Sequence, residues 1–364
     1  MPLLKKYVSA AALLLSGVLA AAALAESSLR LVDTRLHRDI LREYDARIIY
    51  RRTQSYFSDR PSSPEGSRFV FVSPRLPLRY SAGAIETAGG PLRYRKNGLL
   101  DDAPVHGVVL GDSYSENLYL DDSEGWVSLL SQATRKRFLN LARTGTGTEH
   151  HLRCAELILP VARADVVLLQ ICFNDVLDDN RRADRTHPSH PRAGLFPRPD
   201  RLRRVVAETF PFNRSVFCFM FARWGMEFIG TRFFSPPLTP PIPETYPPDE
   251  LARTTNNIAA IKGLSERHGA HLIVIAFADD HFLETLGLPA WSQTHHVPLV
   301  VLNRSSSLWQ DVPPSADFSA HLFLTNPHFN ELGNRKIAAH LQRVLQEKPS
   351  ADAVQLPRDS GIPG

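Results

Sequence analysis

The stretch VVLGDSYS at residues 108–115 decides the fold that this sequence predicts. A short apolar run ends in glycine, and a serine follows at the tip of a turn, ahead of a helix-compatible segment at 126–130. This order predicts a strand that feeds a tight turn, where backbone N–H groups can serve a reaction centre and the hydroxyl of Ser113 points out of the sheet. An ordinary Asx turn that closes a strand is the alternative that the stretch alone leaves open.

Strand-like apolar runs alternate with helical patterns through the rest of the chain. The predicted strands cover 108–110, 138–141, 165–171, 271–277 and 297–302, and the predicted helices cover 125–135, 149–159, 249–268 and 331–345. Asp249 is the expected cap of its helix. The alternation predicts a parallel sheet with right-handed crossovers and with helices on both faces. In such sheets ligands bind beyond the carboxyl ends of the strands, where Ser113, Gly145 and Asn174 all fall.

The alternating region predicts a core domain over 105–348, which an insertion at 178–248 interrupts. Ahead of the core, 26–104 predicts an N-terminal helix followed by lead-in strands. Behind the core, 349–364 is expected to be a flexible tail.

Apolar spacing predicts the elements within these flanking segments. The N-terminal helix is expected over 27–57, and the lead-in strands at 69–72 and 92–95. Within the insertion, 216–229 is strongly apolar but too short to span a membrane. It predicts either a helix packed on the domain or a lid that dips into a membrane over the site.

The first 25 residues predict a signal peptide or a membrane anchor. Lys5 and Lys6 precede an uncharged run, and Ala23-Leu24-Ala25 has the small-x-small pattern of a cleavage site. The run is also just long enough to cross a bilayer uncleaved, and alanine is only weakly apolar, so both fates stay open. Either way the lysines stay in the cytoplasm, and we expect a periplasmic or secreted protein that contacts the membrane if the segment is uncleaved.

The composition argues against several classes of function. The formal net charge is +4 over 364 residues, and the basic residues are scattered, so no nucleic-acid partner is expected. The 3 cysteines form no CxxC pair and their number is odd, which argues against a disulfide framework. Neither a metal nor another cofactor is expected. Histidines without metal-ligand spacing are interpreted as solvated: His150, His151, His187, His190, His295 and His296.

Four sequence blocks occur in a fixed order. They are GDSYS at 111–115, Gly145 after Asn140, Asn174-Asp175 after the third predicted strand, and His328 ahead of the final helix. This order, over 108–345, resembles the SGNH or GDSL-type hydrolase family. The phrase FNDVLDDN at 173–180 is similar to the exported branch of that family. A GDSxS pattern alone recurs by chance, whereas four blocks in order are specific.

The resemblance implies a serine esterase with a three-layer α/β/α sandwich and a mainly parallel, flavodoxin-like sheet. By the match of motifs, Ser113 would be the nucleophile and His328 its general base. The chemistry makes the same demand, because a serine hydroxyl is inert until a base removes its proton and a histidine titrates near neutral pH.

The resemblance also implies an oxyanion hole. Its donors would be the backbone N–H groups of Ser113 and Gly145 and the side-chain amide of Asn174, with Asp112 and Asp175 in supporting roles. Negative charge on a tetrahedral oxygen needs such preorganised donors, each of which contributes about 10²–10³ in rate. Glycine at 145 allows the backbone to come close to an ester carbonyl.

One departure from the family affects catalysis. The family places an aspartate two or three residues before the histidine, whereas Asn326 and Thr325 stand there in this chain. The imidazole of His328 could be oriented by the amide oxygen of Asn326, by a backbone carbonyl in a Ser-His dyad, or by a carboxylate of another loop. The candidate carboxylates are Asp279, Asp280 and Asp317. We expect Asn326 to take this role. Cys172 is a second, tolerable departure, since the family has glycine there.

The expected activity is hydrolysis of short acyl esters, O-acetyl groups among them, on a carbohydrate or lipid substrate. Two alternatives stay open. An acyl-serine can be resolved by any hydroxyl held in line, so the site could instead be an O-acyltransferase that acts on cell-envelope polysaccharide. The missing aspartate could also mark a non-catalytic carbohydrate-binding relative, although Ser113, Gly145, Asn174 and His328 are all retained.

Overall fold

The computed structural model describes residues 69–73, 76–96, 103–179, 246–302, 306–309 and 328–347, with scattered residues between 16 and 53. The chain divides into two compact units, Met1–Ile48 with Pro191–Pro241 and Ile49–His190 with Ile242–Gly364. The first unit is described only at isolated helical positions between 16 and 48. The sheet and the candidate site belong to the second.

One sheet contains all the strands of the described residues. They are β1 (Phe69–Val72), β2 (Arg79–Thr87), β3 (Gly90–Arg95), β4 (Val105–Leu110), β5 (Arg137–Asn140), β6 (Val166–Cys172), β7 (His271–Phe277) and β8 (Leu299–Val301). Their order in the 8-stranded sheet is β1-β2-β3-β5-β4-β6-β7-β8. From β5 to β8 all neighbours are parallel. This part confirms the sheet that the sequence predicts.

The first three strands extend the sheet in antiparallel fashion. β1 pairs with β2 and β2 with β3, and β3 joins the parallel part through the pair Arg95 and Asn140. The lead-in strands predicted at 69–72 and 92–95 are confirmed as β1 and β3. β2 was not predicted, because its sequence RYSAGAIET is rich in small residues and lacks a clear apolar alternation.

Helices cover both faces of the sheet. They are α1 (Ser113–Glu116), α2 (Trp126–Thr134), α3 (Thr148–Ala162), α4 (Pro248–Arg267), α5 (Asp280–Thr285), α6 (Leu288–His295) and α7 (Glu331–Gln346), with a 3₁₀ turn at Ser307–Trp309. Along β4, Val108 and Leu110 join the core under α3 to α6, whereas Val109 joins the core under α2 and α7. Side chains of a strand alternate between its faces, so this division confirms a three-layer α/β/α arrangement.

Two helical regions differ from the sequence prediction. α4 begins at Pro248 after Pro247, so Asp249 lies inside the first turn and is not the cap. Proline suits this position, because the first N–H groups of a helix have no partner within it. α5 and α6 were not predicted, since helices of 6 and 8 residues show little periodicity.

Several predictions lie outside the described residues. These are most of the segment 1–25, most of the helix at 27–57, the insertion from 180 to 245 with its apolar part 216–229, and the tail at 349–364. Within the described part of the chain, no helix is both long and apolar enough to cross a membrane.

Gly107 provides a test of packing within β4. A Cβ atom there would lie 2.5 Å from Cδ1 of Phe138 and 2.9 Å from Cγ1 of Val166. Both neighbours are buried in the sheet and have little room to move. We therefore expect Gly107→Ala to lower the free energy of unfolding by about 1–3 kcal/mol, measured by urea denaturation followed by circular dichroism.

Gly263→Ala is the matched control for this substitution. A Cβ atom at Gly263 would meet Nη1 of Arg267 at 3.4 Å, the far end of a flexible side chain. Because alanine favours a helix over glycine, this variant should be unchanged or stabilised by up to about 1 kcal/mol. Equal unfolding free energies for the two variants would contradict the packing argument.

Candidate active site

Three neighbouring parallel strands end at one edge of the sheet and lead into the predicted site residues. β5, β4 and β6 lie side by side, and the chain beyond them carries Gly145, Ser113 and Asn174 respectively. The N–H of Arg143 donates to the carbonyl oxygen of Gly111 at 2.9 Å, which joins the first two of these loops.

Ser113 is the first residue of the short helix α1 and is half-buried. Asp112 caps this helix, because its Oδ1 accepts from the N–H of Tyr114 at 3.0 Å. The carbonyl oxygen of Asp112 accepts from the N–H groups of Ser115 and Glu116. Among the described residues none accepts from the N–H of Ser113. This N–H is one of the donors of the oxyanion hole that the sequence predicts.

Gln170 anchors this turn from the neighbouring strand β6. It is fully buried, and its Oε1 accepts from the N–H of Asp112 at 3.0 Å and from Oγ of Ser115 at 2.9 Å. A Cβ atom at Gly111 would lie 2.5 Å from the same oxygen. Only glycine leaves room for the Gln170 amide, which explains the residue that opens the GDSYS block.

The loop that carries Gly145 is tied to α1. Gly145 is exposed with a φ of 70°, in the left-handed region that glycine adopts without strain. The preceding N–H, that of Thr144, donates to Oε2 of Glu116 at 2.6 Å. The hydroxyl of Thr146 donates to the carbonyl oxygen of Arg143 at 2.6 Å. These bonds hold both sides of Gly145.

Asn174 lies in the turn after β6 and is half-buried. Its Nδ2 donates to Oδ2 of Asp178 at 2.8 Å. This bond orients the amide group, and a side-chain hydrogen bond from Asn174 also opposes the rise that burial causes in the pKa of Asp112. The neighbouring Asp175 is fully buried and closes the turn by accepting from the N–H of Cys172 at 2.5 Å.

The imidazole of His328 contacts two tyrosine rings. Its centroid lies 5.0 Å from that of Tyr114, at an interplanar angle of 31°, and 4.6 Å from that of Tyr119, at 37°. The adjacent Phe329 is buried and packs on Tyr114. Because Tyr114 follows Ser113 in α1, these contacts bring His328 beside the helix of the candidate nucleophile.

Buried acidic groups lie beneath the turn. Burial raises the pKa of the Asp112 carboxyl to about 6, against the opposing hydrogen bond from Tyr114. Burial and the neighbouring Asp112 raise the pKa of Asp175 well above its usual range. Burial and these two carboxyl groups also raise the pKa of the Cys172 thiol. Cys172 is therefore an unreactive thiol, since only a thiolate is nucleophilic.

The groups proposed to orient His328 are only partly described. Asn326, Thr325 and Asp317 lie outside the described residues. Asp279 caps α5 by accepting from the N–H of Phe282 at 2.8 Å. Asp280 is exposed in the first turn of the same helix.

His151 corrects the expectation of solvated histidines. It is 1% exposed, and its Nδ1 lies 4.0 Å from Oδ1 of Asp175. His150 is half-buried, whereas His295 and His296 are exposed as expected. The remaining two, His187 and His190, lie outside the described residues. In the described part of the chain, no group of three or more His, Cys, Asp or Glu side chains could hold a metal ion.

Four residues of the site were not predicted from the sequence. Gln170 is a lone polar residue in an apolar strand, which is a usable signal for a buried hydrogen-bonding role. Asp178 belongs to the phrase at 173–180, but its role depends on a contact with Asn174. Glu116 and Tyr119 carry no local signal, because their partners come from distant segments.

No protein-family model matches this sequence, and no curated protein matches it. Several solved structures do. A lipolytic protein of the G-D-S-L family from Desulfitobacterium hafniense DCB-2 has 10% identity and a TM-score of 0.39, covering 66% of this chain and 99% of that chain. TesA has 14% identity and a TM-score of 0.39, and the match covers 66% of this chain and 98% of that chain. The psychrotrophic esterase EstA from Pseudoalteromonas sp. has 14% identity and a TM-score of 0.38, and the match covers 66% of this chain and 96% of that chain.

At such identities and TM-scores the likeness says nothing of what this chain binds or hydrolyses.

Asp112→Asn is expected to stabilise the protein more at high pH than at low pH. The folded-state pKa of Asp112 is raised from 3.8 to about 6, so the folded protein binds this proton more tightly than the unfolded chain. Wild-type stability therefore falls as pH rises through this window. Asparagine retains an oxygen for the N–H of Tyr114 and has no charge to bury. The variant should be more stable above pH 7 by about 1–3 kcal/mol.

The measurement is the melting temperature of both proteins at about pH 4.5 and pH 7.5, on either side of the titration of Asp112. Asp249→Asn is the control, since Asp249 is exposed, and it should not change the pH dependence. A stability difference between Asp112→Asn and wild type that is the same at both pH values would refute the prediction.

Proposed function

We propose that this protein is a serine ester hydrolase of the SGNH type that forms an acyl intermediate on Ser113. The observation that carries the proposal is the convergence of the site elements on α1. Ser113 begins this helix, Glu116 at its end binds the loop of Gly145, and Tyr114 contacts the ring of His328. The proposed nucleophile thus lies on α1, and the proposed base and the loop of the proposed oxyanion donor both contact this helix.

In the proposed first step, His328 removes the proton of the Ser113 hydroxyl while its oxygen attacks the ester carbonyl carbon. The carbonyl oxygen becomes an oxyanion, to which the N–H groups of Ser113 and Gly145 and the side-chain amide of Asn174 donate. The bond from Asn174 to Asp178, at 2.8 Å, keeps that amide in place.

Collapse of the tetrahedral intermediate then breaks the ester C–O bond. The leaving alcohol takes the proton from His328, and the acyl group stays on Ser113. In the second step His328 removes a proton from water, which attacks the acyl carbon and releases the acid. The same proton returns to Ser113, so the enzyme ends as it began.

Two kinds of support are proposed for His328. Asn326 remains the proposed orienting group, because it lies two residues before His328, where the family has its aspartate. Tyr114 and Tyr119 supply a second support, because the face of an aromatic ring carries partial negative charge. Once His328 has taken the serine proton, the rings at 5.0 and 4.6 Å are close enough to stabilise its positive charge.

The finer part of the proposal concerns the substrate. We propose short acyl esters, O-acetyl groups included, on a carbohydrate or lipid outside the cytoplasm. Gly145 is exposed, and no described atom outside residues 144–146 lies within 4 Å of its Cβ position, which supports access by a bulky alcohol part. Export is supported by Lys5, Lys6 and the apolar run that follows.

Covalent labelling tests the proposed nucleophile. A fluorophosphonate probe should label the wild-type protein at Ser113, which mass spectrometry of the modified peptide would identify. Ser113→Ala should lose the label and at least about 10³-fold in kcat/KM for p-nitrophenyl acetate, because the covalent route is closed. Ser123→Ala is the matched control, since Ser123 is an exposed serine, and it should be labelled like wild type. Equal labelling of wild type and Ser113→Ala would end the proposal.

The acceptor is tested with the same protein and an acetylated polysaccharide. Hydrolysis releases free acetate in proportion to the acetyl groups lost. Transfer to a second glycan instead leaves less free acetate than acetyl lost, and the acceptor gains mass. Predominant transfer would replace the hydrolase with the acyltransferase while keeping Ser113 as the nucleophile.

Substitutions of Tyr119 test the aromatic support of His328. Tyr119→Phe keeps the ring and should retain near-normal kcat/KM, whereas Tyr119→Leu keeps bulk without the ring. Since contacts between a cation and an aromatic ring contribute about 0.5–2 kcal/mol, Tyr119→Leu should lose roughly 3- to 30-fold in kcat/KM. Esterase assays on the two folded variants provide the measurement. If phenylalanine is as harmful as leucine, the hydroxyl and not the ring is the important group.

A further inference from the structure

A buried ionic cluster joins α1 to the antiparallel strands. The Oε1 atom of Glu116 accepts from Nη2 of Arg93 at 2.5 Å and from the hydroxyl of Tyr80 at 3.0 Å. Nη1 of Arg93 donates to that hydroxyl, also at 3.0 Å. The Oε2 atom of Glu116 accepts from the N–H of Thr144 at 2.6 Å. Groups from β2, β3 and the loop after β5 thus bind both oxygens of one carboxylate.

This carboxylate connects two parts of the proposed site. Glu116 is the last residue of the helix that begins with Ser113. Thr144 immediately precedes Gly145, the proposed oxyanion donor, which has the left-handed φ of 70°. One side chain therefore holds the helix of the nucleophile and the backbone next to the oxyanion donor in a single arrangement.

The hydrogen bonds of this cluster are strong because the Glu116 carboxylate is ionised. Burial alone would raise the pKa of Glu116, but Arg93 and the hydrogen bonds at Thr144 hold it below its usual value. Glu116 is therefore ionised across the pH range in which a histidine base works. Hydrogen bonds to a charged group are shorter and stronger than neutral ones, as the distances of 2.5 and 2.6 Å to this carboxylate illustrate.

Arg95, two residues beyond Arg93 in β3, holds the backbone that follows. Its Nη1 donates to the carbonyl oxygens of Glu116 and Asn117, and its Nη2 to those of Leu120 and Asp121. One arginine of the strand thus binds the Glu116 side chain, and the next binds the chain leaving α1. The antiparallel strands brace the end of the nucleophile helix from two directions.

We propose that Glu116, with Arg93 as its counter-ion, is a positioning residue that holds the N–H of Gly145 against the oxyanion formed at Ser113. The inference rests on the proposed ester hydrolysis and assigns neither residue a contact with substrate. When the tether is broken, the Gly145 loop shifts relative to α1, and the transition state loses a donor that the bound ester does not need. The effect falls on kcat and leaves KM almost unchanged.

Glu116→Gln tests this role with little change of shape. Its amide has one oxygen for the two sets of donors that the carboxylate binds, so one link must break. We expect kcat for p-nitrophenyl acetate to fall roughly 10- to 100-fold with KM within about 3-fold, since a whole oxyanion donor contributes about 10²–10³. Affinity for a boronic acid, which becomes tetrahedral on the serine, should fall in parallel. A smaller folded fraction would also lower the apparent kcat, so kcat is divided by the concentration of active sites titrated with the fluorophosphonate in each variant.

Arg93→Met removes the positive charge that pairs with Glu116. It leaves the Glu116 charge buried without its partner and should lower kcat at least as much as Glu116→Gln. The double variant should be no worse than the worse single variant, because the two residues act as a unit. Fully additive losses would show independent roles and overturn the pairing. Should Arg93→Met fail to fold, the neutral Glu116→Gln variant decides by itself.

Arg137→Met is the matched control. Arg137 is a half-buried arginine at the start of β5, at the other end of the strand from Gly145, and donates to the carbonyl oxygen of Ala103 at 2.9 Å. Its kcat should stay within about 2-fold of wild type. A folded Glu116→Gln with wild-type kcat and boronate affinity would overturn the positioning role, even if Ser113→Ala is inactive. Full turnover by Ser113→Ala would overturn the proposed function and this inference with it.

Discussion

The arrangement of the site depends on the carboxylate that Glu116 shares between α1 and two other segments. A buried charge is unfavourable unless it is paired and hydrogen-bonded, so its partners must be in place when the protein folds. Here Arg93 and Tyr80 meet one oxygen and the N–H of Thr144 meets the other. The parallel part of the sheet provides the loops but not this counter-charge. In the proposed site, the antiparallel extension therefore supports the Gly145 loop as well as enlarging the sheet.

The turn beneath Ser113 contains a buried carboxyl group that has no cationic partner among the described residues. Asp112 is fully buried, with a pKa raised to about 6, so its ionised form is unfavourable near neutral pH. The same residue caps α1, and Gln170 from β6 fixes its backbone N–H. The turn thus gains a defined geometry from Asp112, whose ionised form lowers the stability of the folded state. Such local cost is common where a reactive side chain must be held in place.

His328 is proposed to act without the aspartate that completes a serine triad. A carboxylate orients an imidazole and stabilises its charged form through one hydrogen bond. In this protein two aromatic rings contact the imidazole, and ring faces attract a cation without accepting that hydrogen bond. In the proposed mechanism Asn326 adds the orientation but no charge. The division of these two tasks between different groups is a coherent substitute for one aspartate in the proposed mechanism.

Local patterns were sufficient for the parallel core and for the order of the motifs. The apolar run of β6, which only Gln170 interrupts, and the strand–glycine–serine order at 108–115 depend on neighbours in the chain. The sequence by itself therefore determined the layered fold and the position of Ser113. The sequence could not predict β2, whose small residues have no apolar period, or the burial of His151, which depends on packing against Asp175. Nor could it predict the role of Glu116. Its partners lie 23 and 28 residues away in opposite directions, and only the tertiary structure decided that they meet.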